Sequence, residues 1–437
     1  MAASGDITAT RSGTTRLTVN STGAAITGDV DITSTGYISL PSGTTAQRPG
    51  SPSAGYTRYN STLGSIEFYN GSTWITTNLI PSITSITGQI KTGIATSLTI
   101  ALTNATETVD VLFKEGATLI STVSNQSVSS GSLTVAVPSA VYNQSADDTI
   151  TISVTNSDGT PSSNSQNLTV VGLPTGGTIS TSGNYRYHVF TSSKSGADGF
   201  VTPSGFTSTV DYLIVAGGGG GGNNRGGGGG GGGLRQSTFT TSASTQYAVV
   251  VGAGGTNAGD GGDSSVFSIT STGGGGMNRS GGSGGGGSAG TAGGSGTTGQ
   301  GNNGGNGTGT GSGGSGAGGG GGGQSAAGNN GSSNTLSGAG GEGWTITSGW
   351  SSLSVFSGMT VLSSGGGGAS PFNSTVSPGG TGAGSGGTGT SDATQGRGTN
   401  GVSYGSGSGG GAYAGGYDDG TYFTTGKQGI VVIRYQL

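Results

Sequence analysis

The feature that most constrains the fold is a core-type strand followed at once by glycine. The stretch VDYLIVAGGGGGGNNRGGGGGGGG runs from Val210 to Gly233. Its first part is rich in β-branched, aromatic and other apolar residues, which is typical of a buried strand. Its second part has no side chain to bury, and glycine loses more conformational entropy on ordering than any other residue. Such a run becomes ordered only where its ends are held and its backbone groups find partners.

Glycine dominates the second half of the chain. The sequence of 437 residues holds 104 glycines, and they make up about a third of the residues after position 175. The strict Gly-X-Y period of collagen is missing. Between Gly273 and Thr335 the only apolar residues are Ala and Met277, which excludes a hydrophobic core there. Two alternatives remain, namely disorder and order held by backbone hydrogen bonds.

Apolar segments around the glycine runs favour the ordered alternative. They are NYRYHVF (184–190), DYLIVA (211–216), TQYAVVVGAGG (245–255), SVFSIT (265–270), LSVFSGMTVL (353–362) and KQGIVVIRYQL (427–437). We expect these segments to form β-strands that pin the ends of the runs, which lowers the entropy cost of ordering them. Pinned runs can then pack as polyglycine II helices, with three residues per turn and hydrogen bonds only to neighbours.

The fold class predicted for the whole chain is all-β, because helical periodicity is almost absent. Residues 1–40 contain short alternating pieces that resemble a fibrous segment completed by other copies of the chain. Residues 41–78 predict a hairpin module, in which Asn70-Gly71 suits a two-residue type I′ turn between strands carrying Ile66, Phe68 and Trp74. Residues 175–437 form the glycine-rich part, which we expect to be the distal head.

Residues 79–174 predict an immunoglobulin-like sandwich. Seven short strands with turn signals between them are what that fold requires. The absence of cysteine from the sequence makes it a sandwich without a disulfide. The predicted strands are Ser82–Thr87, Ser97–Leu102, Val109–Lys114, Thr118–Val123, Ser132–Val137, Thr149–Val154 and Asn167–Val171.

Composition excludes several functional classes. Charged residues make up 7% of the chain and the net charge is −4, which argues against a nucleic-acid partner. No apolar run approaches the roughly 18 residues of a membrane-spanning helix, so we expect no membrane insertion. The opening MAASGDITAT lacks the order of a secretory signal. We therefore expect a protein that is not exported by the usual route, although its composition is that of an extracellular surface. A virion component made in the host cytoplasm agrees with both.

Catalytic and cofactor motifs are not convincing in this sequence. GTYFTTGK (420–427) departs from the spacing of a phosphate-binding loop, and NAGDGGDSSV (257–266) is a single, unrepeated copy of a calcium-type nonapeptide. Asp147-Asp148 and Asp418-Asp419 are adjacent carboxylates, which point to opposite faces of a strand. A lone His188 excludes a multi-histidine metal site. We therefore expect no enzyme activity and no cofactor.

Three parts of the chain resemble bacteriophage proteins. The run GTTAQRPGSPSAGYTRYNSTLGSIEFYNGSTW (43–74) resembles a segment that recurs in tail fibres and related virion proteins. Residues 79–174 resemble the immunoglobulin-like spacers of phage fibres and surface adhesins. The order VDYLIVAGGGGGG, QYAVVVGAGG and GIVVIRY is similar to the glycine-rich domain of phage tail-tip adhesins. In those adhesins the loops that join the glycine helices at the distal tip bind the bacterial receptor.

This resemblance implies that the residues interrupting the glycine runs bind a receptor. Aromatic side chains together with Asn, Asp and Arg suit a carbohydrate or protein surface. The alternative for each interruption is a turn without a binding role. Trp344 and Trp350 are expected in the framework. The Asn329-Asn330 pair is a further interruption of this kind. The receptor-binding candidates are Asn223, Asn224, Arg225, Asn278, Arg279, Phe372, Asn373, Tyr404, Tyr413, Tyr417, Asp418 and Asp419.

The leading hypothesis is a homotrimeric phage fibre or adhesin. Its N-terminal segment binds another virion structural protein, its middle modules are spacers, and its head binds a host surface glycan or outer-membrane protein. A second hypothesis is a fibre that decorates the capsid or neck and adheres weakly to surfaces. A third is a bacterial extracellular surface or matrix protein, which requires an export signal or a cell-wall anchor.

Overall fold

The computed structural model of the protein describes most of the chain and divides it into two units, Met1–Ile80 and Pro81–Leu437. The described residues contain one short α-helix, α1 (Ser139–Tyr142), and 3-10 turns at Thr45–Gln47, Gly196–Asp198 and Ser354–Phe356. The all-β prediction is therefore confirmed. Within the described ranges no helix has the length and apolar character needed to span a bilayer. Those ranges are 7–11, 14–20 and 23–26 (backbone only), 37–62, 64–77, 80–157, 159–309, 316–332, 336–370, 376–387, 396–412 and 424–437.

The first unit contains two sheets. One is an antiparallel sheet of β1 (Ile7–Arg11), β2 (Thr14–Asn20) and β3 (Gly23–Ile26). The other has the order β4-β5-β6-β7, formed by β4 (Ser42–Gly43), β5 (Thr57–Asn60), β6 (Ser65–Tyr69) and β7 (Trp74–Thr76). The predicted hairpin is thus present as β6 and β7.

The predicted position of the hairpin turn is wrong. Tyr69 pairs with Trp74, and the Asn70 N–H donates to the Thr73 carbonyl at 3.1 Å. The central residues are therefore Gly71 and Ser72, of which only Gly71 has a positive φ, 102°. The cause is the Asn70 side chain, whose oxygen accepts the N–H groups of Ser72 and Thr73 at 2.9 and 2.8 Å. These two bonds keep Asn70 in the last paired position of the β-hairpin, outside the two central residues of the turn.

The second unit begins with a β-sandwich that contains all seven predicted strands. Its sheets have the orders β13-β10-β8 and β12-β11-β14-β15-β9, with β9 parallel to β15, an immunoglobulin-like arrangement. Alternate residues such as Ile100, Phe113 and Ile152 form one buried core between the sheets. The strands are β8 (Ser82–Thr87), β9 (Ile90–Lys91), β10 (Ser97–Thr103), β11 (Thr108–Glu115), β12 (Thr118–Ser127), β13 (Ser132–Ala136), β14 (Thr149–Asn156) and β15 (Gln166–Val171).

A five-stranded antiparallel sheet, the head framework, follows the sandwich. Its order is β16-β17-β26-β19-β20, so the last strand of the chain lies in the middle. Both of its faces are covered, which explains why DYLIVA is continuously apolar: Ile214 packs beneath one face and Leu213 beneath the other. The strands of this part are β16 (Thr178–Ser182), β17 (Tyr185–Phe190), β18 (Phe200–Val201), β19 (Thr209–Val215), β20 (Leu234–Thr240), β21 (Gln246–Tyr247), β22 (Ser264–Val266), β23 (Ile269–Ser271), β24 (Trp344–Thr345), β25 (Val361–Leu362) and β26 (Ile430–Gln436).

Three of the predicted framework strands differ from the prediction. TQYAVVVGAGG contains only the two-residue strand β21, with isolated bridges at Val249 and Val250. SVFSIT is the hairpin of β22 and β23, whose turn residues Phe267 and Ser268 have φ of 57° and 59°. LSVFSGMTVL contains a 3-10 turn and only a two-residue strand. The reason is tertiary packing. Phe267 stacks on Phe239 at 4.3 Å beneath one face of the framework, and Phe356 packs beneath the other.

The sandwich and the glycine segments leave the framework at opposite ends of β19. Val171, the last residue of the sandwich, packs in one cluster with Phe206 and Val210, at the start of β19. The Ser204 hydroxyl also donates to the Asp147 carboxylate of the sandwich. The first glycine segment begins directly after Val215, at the other end of the strand. Sandwich, framework and glycine segments therefore follow one another in line.

The hydrogen bonds of segment 226–233 repeat every third residue. Successive N–H groups donate to three neighbouring segments in turn, with N···O distances of 2.7–3.1 Å. Gly228 and Gly231 donate to segment 317–323, and Gly229 and Gly232 donate to segment 405–412. Gly230 and Gly233 donate to segment 272–276. Three residues per turn without internal bonds is the geometry of a polyglycine II helix.

The carbonyl groups of the same helix accept bonds from three further segments. Gly219 of segment 216–222, Gly286 of segment 281–287 and Gly366 of segment 363–369 each donate to it at 2.8 Å. Segment 226–233 thus has six neighbours, as in a hexagonal array. We call the whole set of such segments between Ala216 and Gly429 the glycine lattice.

Glycine is required in the lattice for space and not for backbone conformation. None of the glycines in 217–222 or 226–233 has a positive φ. A methyl group on Gly229, however, would overlap the carbonyl of Gly219. Uninterrupted runs such as these are completely buried, whereas 301–307 and 327–331, which carry Asn side chains, are partly exposed at the edge. Asn in a segment therefore marks the edge of the lattice, whereas buried segments contain Gly with small residues such as Ser406 and Ser408, which have no exposed surface.

We predict that Gly229→Ala destabilises the head far more than Gly411→Ala. The first methyl group overlaps the Gly219 carbonyl, whereas the second finds its nearest atom at 3.5 Å, an ordinary contact. Overpacking of this kind costs about 1–3 kcal/mol. Denaturant unfolding of the two variants provides the measurement. Equal free energies of unfolding would show that close approach is not what selects glycine.

His188 predicts a dependence of stability on pH. It has no exposed surface, its Nδ1–H donates to the Gly176 carbonyl at 2.8 Å, and its Nε2 has no partner. Burial lowers the pKa of His188 to about 4. Below pH ~6.5 the unfolded chain therefore takes up a proton that the folded chain refuses, and the free energy of unfolding falls by about 3 kcal/mol as the pH drops to 4.

The test is denaturant unfolding of the wild type and of His188→Phe at pH 7 and pH 4.5. The sequence holds one His, so the loss of stability between these values should be smaller in the variant by most of that amount. An equal loss in both proteins would assign the acid sensitivity to carboxyl groups instead.

Candidate functional site

The end of the glycine lattice remote from the framework, which we call the tip, brings several turns together. The chain leaves β19 at Val215, turns at 223–225 and returns to β20 at Leu234. The N–H of Gly222 donates to the Gly227 carbonyl at 3.0 Å and closes that turn. The other described turns of the tip are 256–258, 277–279 and 288–291.

Left-handed backbone at non-glycine residues characterises these turns. Asn224, Arg225, Asn257, Ala258 and Asn278 have φ between 49° and 63°. Asn adopts this conformation more readily than other residues, because its short amide bonds to the nearby backbone. The turns therefore explain by themselves why Asn interrupts the glycine runs, so the presence of Asn alone does not identify a binding site.

Asn278 connects two turns of the tip. Its side-chain oxygen accepts the Ser288 N–H and the Thr291 hydroxyl, both at 2.7 Å, and its Nδ2 lies 3.3 Å from the Ser288 hydroxyl. The N–H of Ala289 in turn donates to the Arg225 carbonyl at 3.3 Å. The predicted islands 223–225 and 277–279 are therefore neighbours, joined through 288–291.

Arg279 forms an exposed ion pair with Asp260. The Nη1 and Oδ2 atoms are 3.4 Å apart, and the two side chains are 61% and 45% exposed. Asp260 also accepts the Gly276 N–H at 2.8 Å. A pair this exposed contributes at most about 1 kcal/mol to stability. Its charged groups remain accessible to a partner, beside the exposed Asn257.

Asp260, Ser288 and Thr291 are tip residues that the sequence predictions missed. Asp260 lies in NAGDGGDSSV (257–266), the single copy of a calcium-type nonapeptide. Both carboxylates of that motif instead accept lattice N–H groups, Asp260 from Gly276 and Asp263 from Gly273, each at 2.8 Å. The sequence feature that marks these three residues is that they interrupt the glycine runs.

Tyr404 lies at the opposite end of the lattice from the tip. Its ring packs edge-on against Phe356 at 6.3 Å, and Lys427 lies over it at 6.0 Å. Burial raises the pKa of Tyr404. Trp350 is buried in the same cluster, so its predicted role in the framework is confirmed.

Asn329 and Asn330 belong to an edge segment of the lattice and not to a turn. They lie in segment 327–331, where the N–H of Asn329 donates to the Ala339 carbonyl at 2.9 Å. The side-chain oxygen of Asn330 accepts the Asn306 N–H at 2.7 Å, which joins this segment to 301–307.

The other predicted site residues lie outside the described residues: Phe372, Asn373, Tyr413, Tyr417, Asp418 and Asp419. Described residues that precede them in the chain lie beside the turn 223–225. The N–H of Ala369 donates to the Gly226 carbonyl at 3.0 Å, and that of Gly411 to the Gly222 carbonyl at 2.6 Å.

The glycine-rich part of the chain matches a known family. The model of a family described as a glycine-rich domain matches residues 191–436, which is more than half of the chain. The matched residues extend from the end of β17 to β26 and so include the whole lattice with most of its framework. No curated protein matches the chain.

We predict that Asn278→Ala loosens the tip. The substitution removes three hydrogen bonds between turns, each contributing about 1 kcal/mol. Amide hydrogen exchange at residues 288–291 should then accelerate by 10-fold or more, while exchange at 228–233 stays slow. Asn223→Ala is the matched control, because that side chain makes no hydrogen bond with the described residues. Equal acceleration in both variants would mean that Asn278 does not hold the turns.

Proposed function

The chain belongs to the glycine-rich domain family, and we propose that it is a structural fibre of a bacteriophage virion that attaches to the host cell through the tip. In this proposal the fibre is a homotrimer without enzyme activity. Its N-terminal segment binds another virion structural protein. Its partner at the host is a surface glycan or an outer-membrane protein.

The observation that carries this proposal is the linear arrangement of the second unit. The sandwich packs at the start of β19, the lattice begins at its end, and the described turns of the tip lie beyond the lattice. A spacer at one end and a set of polar turns at the other is what a projecting attachment protein requires. The resemblance of residues 43–74 to a tail-fibre segment supports a virion as the location of the protein.

The chemistry of the tip suits a hydroxyl-rich or polar partner. Asn257, Asn278, Arg279 and Asp260 present amide, guanidinium and carboxylate groups at an exposed surface. Their backbone is already fixed by the lattice and by the bonds between turns. Little conformational entropy is then lost on binding, which strengthens association through few contacts.

Binding of the labelled full chain to a panel of intact bacteria tests this proposal. We compare the wild type with an Asn257→Ser/Arg279→Ser double variant at the tip. The matched control is Val402→Ser, which changes a 64% exposed side chain at the opposite end of the lattice. We expect saturable binding that the tip variant weakens at least 10-fold, equivalent to about 1.4 kcal/mol, and that the control leaves unchanged.

Two outcomes would contradict the proposal. One is a folded wild-type chain that binds none of the panel, which would remove host attachment as its function. The other is saturable binding that both variants weaken equally, which would move the contact surface away from the tip.

A further inference from the structure

The sheet β4-β5-β6-β7 of the first unit buries polar side chains and exposes apolar ones, which is the reverse of the usual arrangement. Its strands alternate, but the buried positions of β5 and β6 are polar: Arg58, Asn60, Ser65 and Glu67. The positions between them point outward and are apolar. Tyr59, Ile66, Phe68 and Ile75 are 37–41% exposed and form what we call the outer face.

The interior of this sheet is a network around one carboxylate. Glu67 has no exposed surface, and the Arg48 Nη2 lies 2.6 Å from it, the Asn60 Nδ2 2.9 Å and the Arg58 Nε 3.4 Å. The hydrogen bond from Arg48 lowers the pKa of Glu67, although burial opposes the shift. A buried ion network fixes geometry more than it stabilises the fold. The stabilisation of this sheet must therefore have another source.

The first unit has no hydrophobic core among its described side chains. The buried apolar residues of the described chain begin at Ile83, in the second unit. The sheet β4-β5-β6-β7 lies between Ser42 and Thr76, and folded segments of fewer than about 40 residues usually need disulfides, metals or oligomerisation. The sequence has no cysteine, which excludes the first of these. Tyr69 and Trp74 pack on the inner side, where Arg48 lies over the Trp74 ring. The apolar side chains of the outer face can be buried only by a further surface.

We propose that the outer face is the surface through which copies of this chain associate, three to a fibre. The proposal deepens the homotrimer of the proposed function, and it depends on that function for the number three alone. Tyr59 is paired with Ile66 and Phe68 with Ile75, so the four side chains form one continuous patch.

The absence of charge from the outer face favours a second copy as the occupant. At a symmetry axis each residue lies near its own copy, so charged residues there would repel. The outward positions of β5–β7 carry Thr57, Tyr59, Ile66, Phe68 and Ile75, none of them charged. The charges of the sheet, on Arg58 and Glu67, are inside.

The four side chains of the outer face are by themselves too small for a complete interface between copies. Four side chains about 40% exposed present roughly 300 Å² in total, taking 150–250 Å² for a large side chain. A stable two-chain interface needs about 800 Å² from each partner. The outer face therefore supplies only part of such an interface, and the rest must come from other residues of the chain; Tyr37 and Ile38 of the same unit are further exposed apolar residues.

A single introduced cysteine tests the contact directly, because the chain has none. Full-length Ile75→Cys is oxidised with copper phenanthroline and compared with Leu119→Cys, which replaces a 51% exposed residue of the sandwich. We expect covalent dimers from Ile75→Cys and none from Leu119→Cys. No covalent dimer from Ile75→Cys would overturn the proposal and leave the face to another protein or to another part of the chain.

Sedimentation velocity supplies the second measurement. We expect three times the chain mass for the wild type and for Leu119→Thr, and the single-chain mass for Ile66→Thr/Phe68→Thr, in which Thr preserves strand propensity. A single-chain mass for the wild type, or an unchanged mass for the double variant, would overturn the proposal. A chain that associates but binds no cell contradicts host attachment and leaves this inference intact. A monomer that binds cells contradicts this inference and the homotrimer, and leaves host attachment intact.

Discussion

The hydrogen bonds between glycine segments are the interaction on which the head depends. A polyglycine II helix satisfies none of its N–H and C=O groups internally, so each segment is stable only among neighbours. Segment 226–233 donates to three neighbours and accepts from three others, and the missing Cβ is what allows this approach. The framework sheet makes the array possible, because β19, β20 and β26 fix the segment ends that meet them.

Burial serves a different purpose in each part of the chain. The sandwich has an ordinary apolar core, and the framework buries both faces of one sheet. The lattice buries backbone, and the sheet β4-β5-β6-β7 buries charge. A lattice held by backbone hydrogen bonds depends little on the side chains of its turns, apart from those such as Asn278 that join one turn to the next. Those turns can then change in sequence without changing the fold, which suits the proposed contact with a variable host surface.

Much of the fold could be predicted because its signals are local. Alternation in β8 and β10–β15 and the double-sided burial of β19 follow from the pattern of apolar residues alone. The errors arose where a side chain acts at a distance or caps the backbone. Because the Asn70 side chain bonds to the turn backbone, the turn of one hairpin lies one residue later than predicted. SVFSIT forms a hairpin where one strand was predicted, because Phe267 stacks on Phe239. The polar interior around Glu67 gave no signal, because alternation does not say which face is buried.

The sequence by itself determined the all-β class, most of the strands, and which parts of the chain can enter a lattice, since only glycine and a few small residues leave room for close neighbours. The tertiary structure alone decided which segments are neighbours and at which end each interruption lies. Asn278 and Tyr404 both interrupt glycine-rich sequence. Asn278 nevertheless joins two turns at the tip, whereas Tyr404 packs against Phe356 beneath the framework. The physical reason is that glycine segments recognise one another through identical backbone groups. Partner choice is therefore set by where the chain is anchored and how long each segment is, and no residue pattern records it.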